Sequence, residues 1–186
     1  MTEKIKSNNL ITTEHHLDDI KKHIITKKGL RIIIRAVRIN DERAMSKFFR
    51  SLSSESIDKR FLSRNRYLPN KRIQDFVVFN CRENMFLIAT IKKYFRETIL
   101  GLGQYWLDKD TRMADVAFVV LDKYHRQGIC EELLKYQILL AKNRIINGFK
   151  AEVLVDNIPM LNLFEKYGFK ITNRINGNIY ELKLNF

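Results

Sequence analysis

Short apolar runs recur along the chain and predict the strands of a sheet. They are rich in Ile, Val, Leu and Phe, and charged or glycine-containing segments separate them, as expected of β-strands. Asn176-Gly177 lies between the last two runs and predicts a two-residue hairpin turn. Gly101 and Gly103 predict a bulge or a close backbone approach. The predicted strands cover residues 30–38, 84–91, 98–106, 114–120, 149–155, 169–174 and 178–184.

Apolar residues at helical spacing predict the helices between these strands. Asp41 stands at the N-cap position of the first helix. In the last helix, Pro159 falls in the first turn and Gly168 lies just past the end, which is the usual asymmetry of helix termini. The segment 73–79 fits either a helix or an extended strand. The predicted helices cover residues 41–52, 53–61, 129–146 and 157–167.

This order of elements predicts one α/β domain whose mixed sheet is covered by helices on both faces. The nearly continuous apolar character of residues 149–155 predicts a strand that is buried on both sides. A chain of 186 residues is long enough for one domain with a real core. Residues 1–28 are polar, with a weak helical stripe, and predict an N-terminal extension with an amphipathic helix. The domain itself is expected at 29–186.

Composition narrows the class of protein. The first residues lack the apolar core of a signal peptide, and no run approaches the ~20 apolar residues that cross a bilayer. Cys81 and Cys130 are isolated thiols, which suits a reducing compartment, so we expect a cytoplasmic protein. His15, His16 and His23 lack cysteine or carboxylate partners at ligand spacing, so no metal site is expected.

The chain carries a strong positive charge, with 34 Lys and Arg against 21 Asp and Glu, or +13. Such a charge attracts anions, which include nucleic acid, acidic proteins and phosphorylated cofactors. The basic residues are scattered, however, and no recognised nucleic-acid-binding motif is present. Nucleic-acid binding is therefore a third-ranked interpretation.

Residues 114–134 contain the strongest functional signal. An apolar strand runs into a short polar turn that holds Gly128, and an amphipathic helix begins at once. The first turn of a helix presents backbone N–H groups without intrahelical partners, and the macrodipole adds partial positive charge. Gly128 also lets a ligand approach the backbone without a Cβ in the way. We therefore expect residues 126–130 to hold a diphosphate, although both G-x-G-x-x-G and the P-loop motif are absent.

Several segments in a fixed order carry a family resemblance. His125-Arg-Gln-Gly-Ile-Cys130 follows the pattern Gln/Arg-x-x-Gly-x-Gly/Ala, and Asn157-Ile-Pro-Met-Leu-Asn-Leu-Phe-Glu-Lys-Tyr-Gly-Phe169 follows Asn-x-x-Ala/Met-x-x-Leu-Tyr/Phe-x-x-x-Gly-Phe. These patterns resemble the pyrophosphate loop and a later helix of the GNAT superfamily of N-acetyltransferases. Residues 34–41 resemble its first strand and turn. The segments at 52–61, 114–120 and 151–155 are similar to the catalytic domain of bacterial protein lysine acetyltransferases.

The resemblance covers about residues 30–186 and implies a GNAT-type fold. In that fold a mixed, mostly antiparallel sheet has helices on both faces and one splayed parallel strand pair. It also implies that acetyl-CoA is the cosubstrate, that no metal is needed, and that acetyl-CoA binds between residues 114–120 and 151–155. The implied cofactor-binding residues are Phe118, Val119, Val120, Arg126, Gln127, Gly128, Ile129, Cys130, Glu131 and Asn157.

The resemblance also assigns chemical roles. An amine with a pKa of about 10 must lose a proton before it attacks a thioester, so a base is needed. Asp115 stands where the lysine acetyltransferases carry a Glu. Its alternative role is either a solvent-facing strand carboxylate or half of an ion pair with Arg112. A backbone N–H near Val119 or Val120 would stabilise the oxyanion. Phe164 replaces the Tyr that serves many relatives as general acid, and Tyr167 is expected to pack.

Two further residues have competing interpretations. For Asn157 the favoured interpretation is a side chain that caps its helix, and the second is a contact with the cofactor. Cys130, at a helix N-terminus, is either a thiol of lowered pKa or a small residue that the loop tolerates.

Two functions remain ahead of nucleic-acid binding. The first is transfer of an acetyl group to a primary amine, with a protein lysine as the expected acceptor. The second is a non-catalytic acyl-CoA-binding regulatory module on the same fold, which His125, Cys130 and Phe164 keep open. No membrane association is expected.

Overall fold

A computed structural model describes residues 19–62, 70–78, 83–94 and 96–186. His15, His16 and Cys81 lie outside this part of the chain. The strands are β1 (Lys21–Ile25), β2 (Arg31–Ala36), β3 (Asn84–Lys93), β4 (Arg96–Leu107), β5 (Met113–Val120), β6 (Gly148–Leu154), β7 (Lys170–Ile175) and β8 (Ile179–Asn185). The helices are α1 (Glu42–Arg50), α2 (Ser54–Phe61), α3 (Asn70–Val77), α4 (Ile129–Asn143) and α5 (Ile158–Lys166).

The eight strands form one sheet in the order β1-β2-β3-β4-β5-β6-β8-β7. Neighbouring strands run antiparallel except β5 and β6, which are parallel because α4 returns the chain across the sheet between them. Asn176 and Gly177 both have positive φ, of 48° and 74°, and make the tight turn between β7 and β8. The predicted mixed, mostly antiparallel α/β sheet with a parallel pair is confirmed.

Helices cover both faces of the sheet, as predicted, because alternate residues of each strand enter two separate cores. In β3, Leu87 enters the core that includes Leu133 and Leu134 of α4. Its neighbour Ile88 enters the second core, which includes residues of α1 and α3, among them Phe49. Each strand thus stabilises two layers at once.

The helix predicted within residues 1–28 is wrong for Lys21–Ile25, which form β1 and pair with β2. The edge of β2 satisfies the backbone hydrogen bonds of this segment, and Ile20 is buried in the core at 8% exposure. This tertiary pairing overrides a weak helical pattern. Residues 19–28 therefore join the same sheet as the rest of the domain.

Asp41 does precede α1, but its side chain makes no capping hydrogen bond. Its carboxylate instead accepts hydrogen bonds from the buried Arg35, at 2.7 Å from Nη1 and 2.8 Å from Nη2. Glu97 accepts two more from the same guanidinium. A buried charge needs such partners, and this need overrides the local capping preference.

Two other strand predictions have different outcomes. The pairing of β3 with β4 shifts between Ala89 and Thr90, and a Cβ added to Gly103 would lie 2.9 Å from the Phe118 ring. The predicted bulge and close approach are therefore both present. The burial predicted for both sides of β6 is wrong, because Glu152 is exposed and the second core contains no residue of β6.

Gly148 lies where β6 passes closest to β8, so we expect Gly148→Ala to destabilise the fold strongly. An added Cβ would overlap the Leu184 carbonyl oxygen and lie 3.0 Å from Met113 Cε. We expect a loss of about 3 kcal/mol in the free energy of unfolding, measured in urea.

Gly177→Ala is the matched control, because its Cβ would meet nothing within 4 Å and only its positive φ of 74° opposes the change. We expect a loss of about 1 kcal/mol for that variant. Equal losses for the two variants would contradict the steric argument.

Candidate active site

The two parallel strands separate after a short paired stretch. Their register contains only Met113 with Gly148, Ala114 with Phe149, and Asp115 with Lys150. Beyond that row, β5 continues to Val120 and β6 to Leu154 without pairing to each other. The predicted splayed parallel pair is confirmed, and a cleft of about 590 Å³ opens between its strands.

The backbone of β5 presents unpaired hydrogen-bonding groups to this cleft. The N–H of Leu121 donates to the Leu100 carbonyl of β4 at 2.8 Å. In an antiparallel pair, alternate residues bond to the partner, so Val119 faces Leu102 of β4 in the same way. The N–H and C=O groups of Phe118 and Val120 consequently point away from β4 and toward the cleft. The backbone of Val119 is thus committed to the sheet, and only its side chain reaches the cleft.

Most of the predicted cofactor residues line this one cleft. Gln127 and Asp115 do not line it. The residues that do are Phe118, Val119, Val120, Arg126, Gly128, Ile129, Cys130, Glu131 and Asn157.

The loop between β5 and α4 adopts the conformation that an anion site needs. Gly128 has a φ of 84° and immediately precedes α4, and Arg126 also has a positive φ, of 59°. The Gly128 carbonyl accepts the N–H of Glu132 at 3.1 Å, which starts the helical ladder. The N–H groups before that point have no intrahelical partner and stand at the positive end of the α4 dipole.

His125 ties this loop to the strand that precedes it. Its Nε2 lies 2.8 Å from the Val120 carbonyl oxygen, so the imidazole N–H donates to a group that would otherwise face the cleft. The replacement of the family's Gln or Arg by His125 therefore keeps a hydrogen-bond donor at this position. The N–H of Val120 keeps its direction toward the cleft.

Asp122 fixes helix α2 to the same loop. It accepts hydrogen bonds from Ser53 N at 3.0 Å, Ser53 Oγ at 2.5 Å and Ser56 Oγ at 2.8 Å. Burial acts to raise the pKa of Asp122, but these hydrogen bonds outweigh it and lower the pKa to about 2. The first turn of α2 is thus held at the loop end of the cleft.

Glu131, in the first turn of α4, joins three parts of the fold. Its Oε1 accepts hydrogen bonds from Lys166 Nζ at 2.7 Å and Tyr167 Oη at 2.8 Å, and lies 3.2 Å from Lys27 Nζ. Burial opposes ionisation, but these partners lower the pKa of Glu131 to about 2. Tyr167, predicted to pack, thus also donates its hydroxyl to this carboxylate.

The interpretation of Cys130 as a thiol of lowered pKa is wrong. Burial, together with the neighbouring Glu131 charge, raises the pKa of Cys130 to about 12. Desolvation outweighs the helix dipole here, so the thiol stays neutral.

The prediction that the Asn157 side chain caps its helix is also wrong. The Asn157 side chain makes no capping hydrogen bond, whereas its carbonyl accepts the N–H groups of Met160 and Leu161. The side chain lines the cleft instead. Phe164 lies beside it at 2% exposure, with its ring 6.1 Å from that of Phe118.

Asp115 lies on the last paired row of β5, opposite Lys150 of β6 and Trp106 of β4. Partial burial raises its pKa, and Lys150 acts in the opposite direction. Asp108 and Glu181 raise the pKa further. The alternative ion pair with Arg112 is not among its interactions, because the Arg112 guanidinium donates to the carbonyls of Arg144 and Ile145. Asp115 is exposed, which agrees with the other alternative, a solvent-facing strand carboxylate.

Four polar residues of the cleft wall were not predicted from the sequence. Ser56, Lys59 and Arg60 come from one face of α2, and Glu152 comes from β6. The i, i+3, i+4 spacing on α2 identifies a common face, but only tertiary packing turns that face toward β5. For Glu152, a charged residue between the buried Ala151 and Val153 was an available signal of an open strand face.

Within the described ranges, no group of three His, Cys, Asp or Glu side chains is placed to hold a metal ion. In the same ranges, no helix is long and apolar enough to span a membrane.

Comparison with known proteins agrees with this geometry. The family model described as "Acetyltransferase (GNAT) family" matches residues 49–169. The GNAT domain of S. lividans PAT superposes with a TM-score of 0.81 at 22% identity, over 89% of this chain and 97% of that one.

Two structures determined with coenzyme A share the fold at lower identity. The PaiA N-acetyltransferase of Thermoplasma acidophilum, in complex with coenzyme A, has a TM-score of 0.63 at 15% identity, over 84% of this chain and 100% of that one. The spermidine N-acetyltransferase of Vibrio cholerae, in complex with CoA and spermine, has a TM-score of 0.65 at 13% identity, over 83% and 95%.

The low pKa of Glu131 predicts an acid-dependent stability. Its pKa in the folded chain, about 2, lies below the ordinary value of 4.5, so folding favours the ionised carboxylate. This contribution is complete above the ordinary pKa and is lost as the pH falls toward 2. We expect Glu131→Gln to be less stable than the unchanged chain at pH 7, and the difference to shrink steadily toward pH 3.

Urea unfolding at several pH values measures this gap, and Glu165→Gln, at an exposed position of α5, is the control. A gap that is the same at pH 3 and pH 7 would show that the Glu131 carboxylate does not stabilise the fold through its charge.

Proposed function

Because this chain belongs to the GNAT family of acetyltransferases, we propose that it transfers the acetyl group of acetyl-CoA to a primary amine by direct attack. The acceptor that we propose is a lysine ε-amine of a protein. The observation that carries the proposal is the unpaired backbone of β5, which leads directly into the open N-terminus of α4.

The groups in the cleft fit the parts of acetyl-CoA in order. The C=O of Phe118 and the N–H of Val120 match the amides of pantetheine, as a further strand would. The N–H groups of residues 126–131 match the diphosphate, and the Arg126 guanidinium adds charge. Lys27 and Lys166 stand around the same helix end and add positive charge, although Glu131 accepts from both.

When bound, acetyl-CoA supplies an activated thioester carbonyl at the narrow part of the cleft. The N–H of Phe118 also points toward the cleft and is nearer to Asp115 along β5 than that of Val120. It is the backbone donor that we assign to the developing oxyanion, so that the Phe118 carbonyl and the Val120 N–H are left to pantetheine. Val119 is excluded from that role by its pairing with β4.

We assign proton removal from the amine to Asp115. The raised pKa of Asp115 lies closer to neutral pH than the ordinary pKa of an aspartate. A general base works best when its pKa is near the working pH. Because Asp115 borders the cleft without lining it, a water molecule would carry the proton from the amine. Glu152, two residues past Lys150 on the same strand face, lines the cleft directly and is the competing base.

No acid is assigned to the leaving thiolate. Phe164 has no proton to donate, and the Tyr167 hydroxyl donates to Glu131. A thiol with a pKa of about 8.5 leaves readily enough to be protonated by water.

The alternative function is a regulatory module that binds acyl-CoA without turnover, and Phe164 at the position of the usual acid favours it. Release of free CoA thiol in the presence of candidate amines separates the two functions. A cytoplasmic location remains part of the proposal.

Gly128→Ala tests the cofactor site, and Gly168→Ala is its matched control. Both glycines have a φ near 85°, and an added Cβ would meet its nearest neighbour at 3.6 Å and 3.5 Å respectively. Both variants should lose about 1–2 kcal/mol of stability. Only Gly128→Ala should also raise the Kd for acetyl-CoA in calorimetry, by at least roughly tenfold, because alanine disfavours the left-handed φ that sets the direction of the loop N–H groups.

Equal effects of the two substitutions on the Kd would remove the loop from the proposed binding site. If acetyl-CoA failed to bind the unchanged protein at millimolar concentration, the enzyme proposal itself would fall.

Asp115→Asn and Glu152→Gln, compared side by side, test the assignment of the base. We expect Asp115→Asn to lower kcat by roughly 100-fold and leave the Kd for acetyl-CoA unchanged, since the loss of a general base affects only the chemical step. We expect a smaller effect from Glu152→Gln. The reverse ranking would transfer the role to Glu152.

A further inference from the structure

Arg60 brings a positive charge into the wall of the cleft, and the proposed cofactor contacts do not use it. It lies on the face of α2 that also carries Ser56 and Lys59, and all three line the cleft with Ala117 of β5. Its guanidinium lies 4.8 Å from the centroid of the Phe61 ring, which supports it from one side.

The guanidinium of Arg60 lacks the partners that a buried charge requires. Its Nε and Nη2 atoms are buried and have no hydrogen-bond partner in the described part of the chain. Burial lowers the pKa of Arg60 to about 10, so it still carries its charge at neutral pH. Arg35, the buried arginine of the sheet, shows the contrast, because Asp41 and Glu97 accept its hydrogen bonds. An unpaired buried charge is costly unless a ligand supplies the counter-charge.

The position of Arg60 separates it from the diphosphate loop. Helix α2 begins at Ser54, and the residue before it is bonded to Asp122 at the loop end of the cleft. At 1.5 Å per residue, Arg60 lies about 9 Å farther along the helix axis than Ser54. We therefore take the anion that it binds to be a different group from the phosphates proposed for the N-terminus of α4, and the Kd for acetyl-CoA tests this below.

The strands on either side of the cleft carry carboxylates. Asp115 and Glu152 lie on one face of the sheet, because Asp115 pairs with Lys150 and Glu152 is two residues farther along β6. Glu181 of β8 pairs with Glu152 and adds a third carboxylate. The acceptor side of the cleft thus combines carboxylates that attract an ammonium group with one guanidinium that attracts an anion.

We infer that Arg60 binds a carboxylate of the acceptor, so that the acceptor is an amine that also carries a carboxylate. This inference rests on the proposed acetyltransferase function and specifies its substrate class. The carboxylate can come from a free amino acid or from an acidic residue beside a lysine in a polypeptide. The planar guanidinium forms two parallel hydrogen bonds to a carboxylate, which explains arginine rather than lysine at this position.

The test uses amines in pairs that differ by one carboxylate. Nα-acetyl-lysine is compared with its methylamide, and a lysine peptide with a neighbouring Asp is compared with the same peptide carrying Asn. We expect kcat/KM to be roughly 10- to 100-fold higher for the carboxylate member of at least one pair, as for other charged hydrogen bonds. The first pair reports a free-carboxylate acceptor, and the second reports an acidic polypeptide.

Arg60→Met should abolish this preference, so that kcat/KM becomes equal for the two members of each pair. Arg60→Lys should retain part of the preference. Arg50→Met, an exposed arginine of α1, is the control for net charge and should retain the full preference. Circular dichroism confirms that each variant folds.

Two binding measurements keep this inference separate from the proposed function. The Kd for acetyl-CoA should be the same in Arg60→Met and the unchanged protein, and a rise would show that Arg60 holds the cofactor. Acceptor binding to the CoA complex, measured by calorimetry, should favour the carboxylate member even if no amine is turned over. Equal binding of both members by the unchanged protein would overturn the inference, whereas absence of turnover alone would overturn only the proposed catalysis.

Discussion

The hydrogen bonds that β5 and β6 do not make with each other determine how this molecule is built. Eight strands form one sheet, yet its central parallel pair is joined over three rows only. Backbone groups left unpaired inside a protein are costly, so such a gap persists only where something else can satisfy them. An extended ligand with amide groups can satisfy these backbone groups in the same geometry as a neighbouring strand. The break in the sheet is therefore also a candidate ligand-binding cleft.

Three side-chain contacts hold this gap open at its loop end. Asp122 accepts hydrogen bonds from the first turn of α2, and His125 donates one to the carbonyl of Val120. Glu131 links α4 to the turn after β1 and to α5. The contacts of Asp122 and Glu131 join segments that are distant in the sequence, whereas that of His125 is local. Because the partners of Asp122 and Glu131 lower the pKa of both carboxyls, these contacts are made by ionised groups. The loop is consequently rigid before any ligand arrives, which reduces the cost of ordering it on binding.

The two ends of the cleft differ in charge. The loop end offers backbone N–H groups and lysines to phosphates, whereas the far side combines Asp115 and Glu152 with Arg60. In the function that we propose, the carboxylates attract the amine acceptor and the guanidinium adds selectivity among amines. The net charge of +13 therefore says little about function by itself, since the arrangement of a few charges around the cleft decides what binds.

Local pattern was sufficient to predict most strands, the helices α1, α2, α4 and α5, the tight turn at Asn176-Gly177 and the loop at Gly128, whereas it left α3 open between a helix and a strand. These features depend on backbone preferences and on periodicity, which neighbouring residues determine. Local pattern failed where a distant partner decided the outcome. Lys21–Ile25 became a strand because β2 offered an edge, Asp41 bonded to Arg35 and left α1 without a side-chain cap, and burial raised the pKa of Cys130. Arg60 entered the cleft wall for the same reason, since only the packing of α2 against β5 determines which face of that helix is buried.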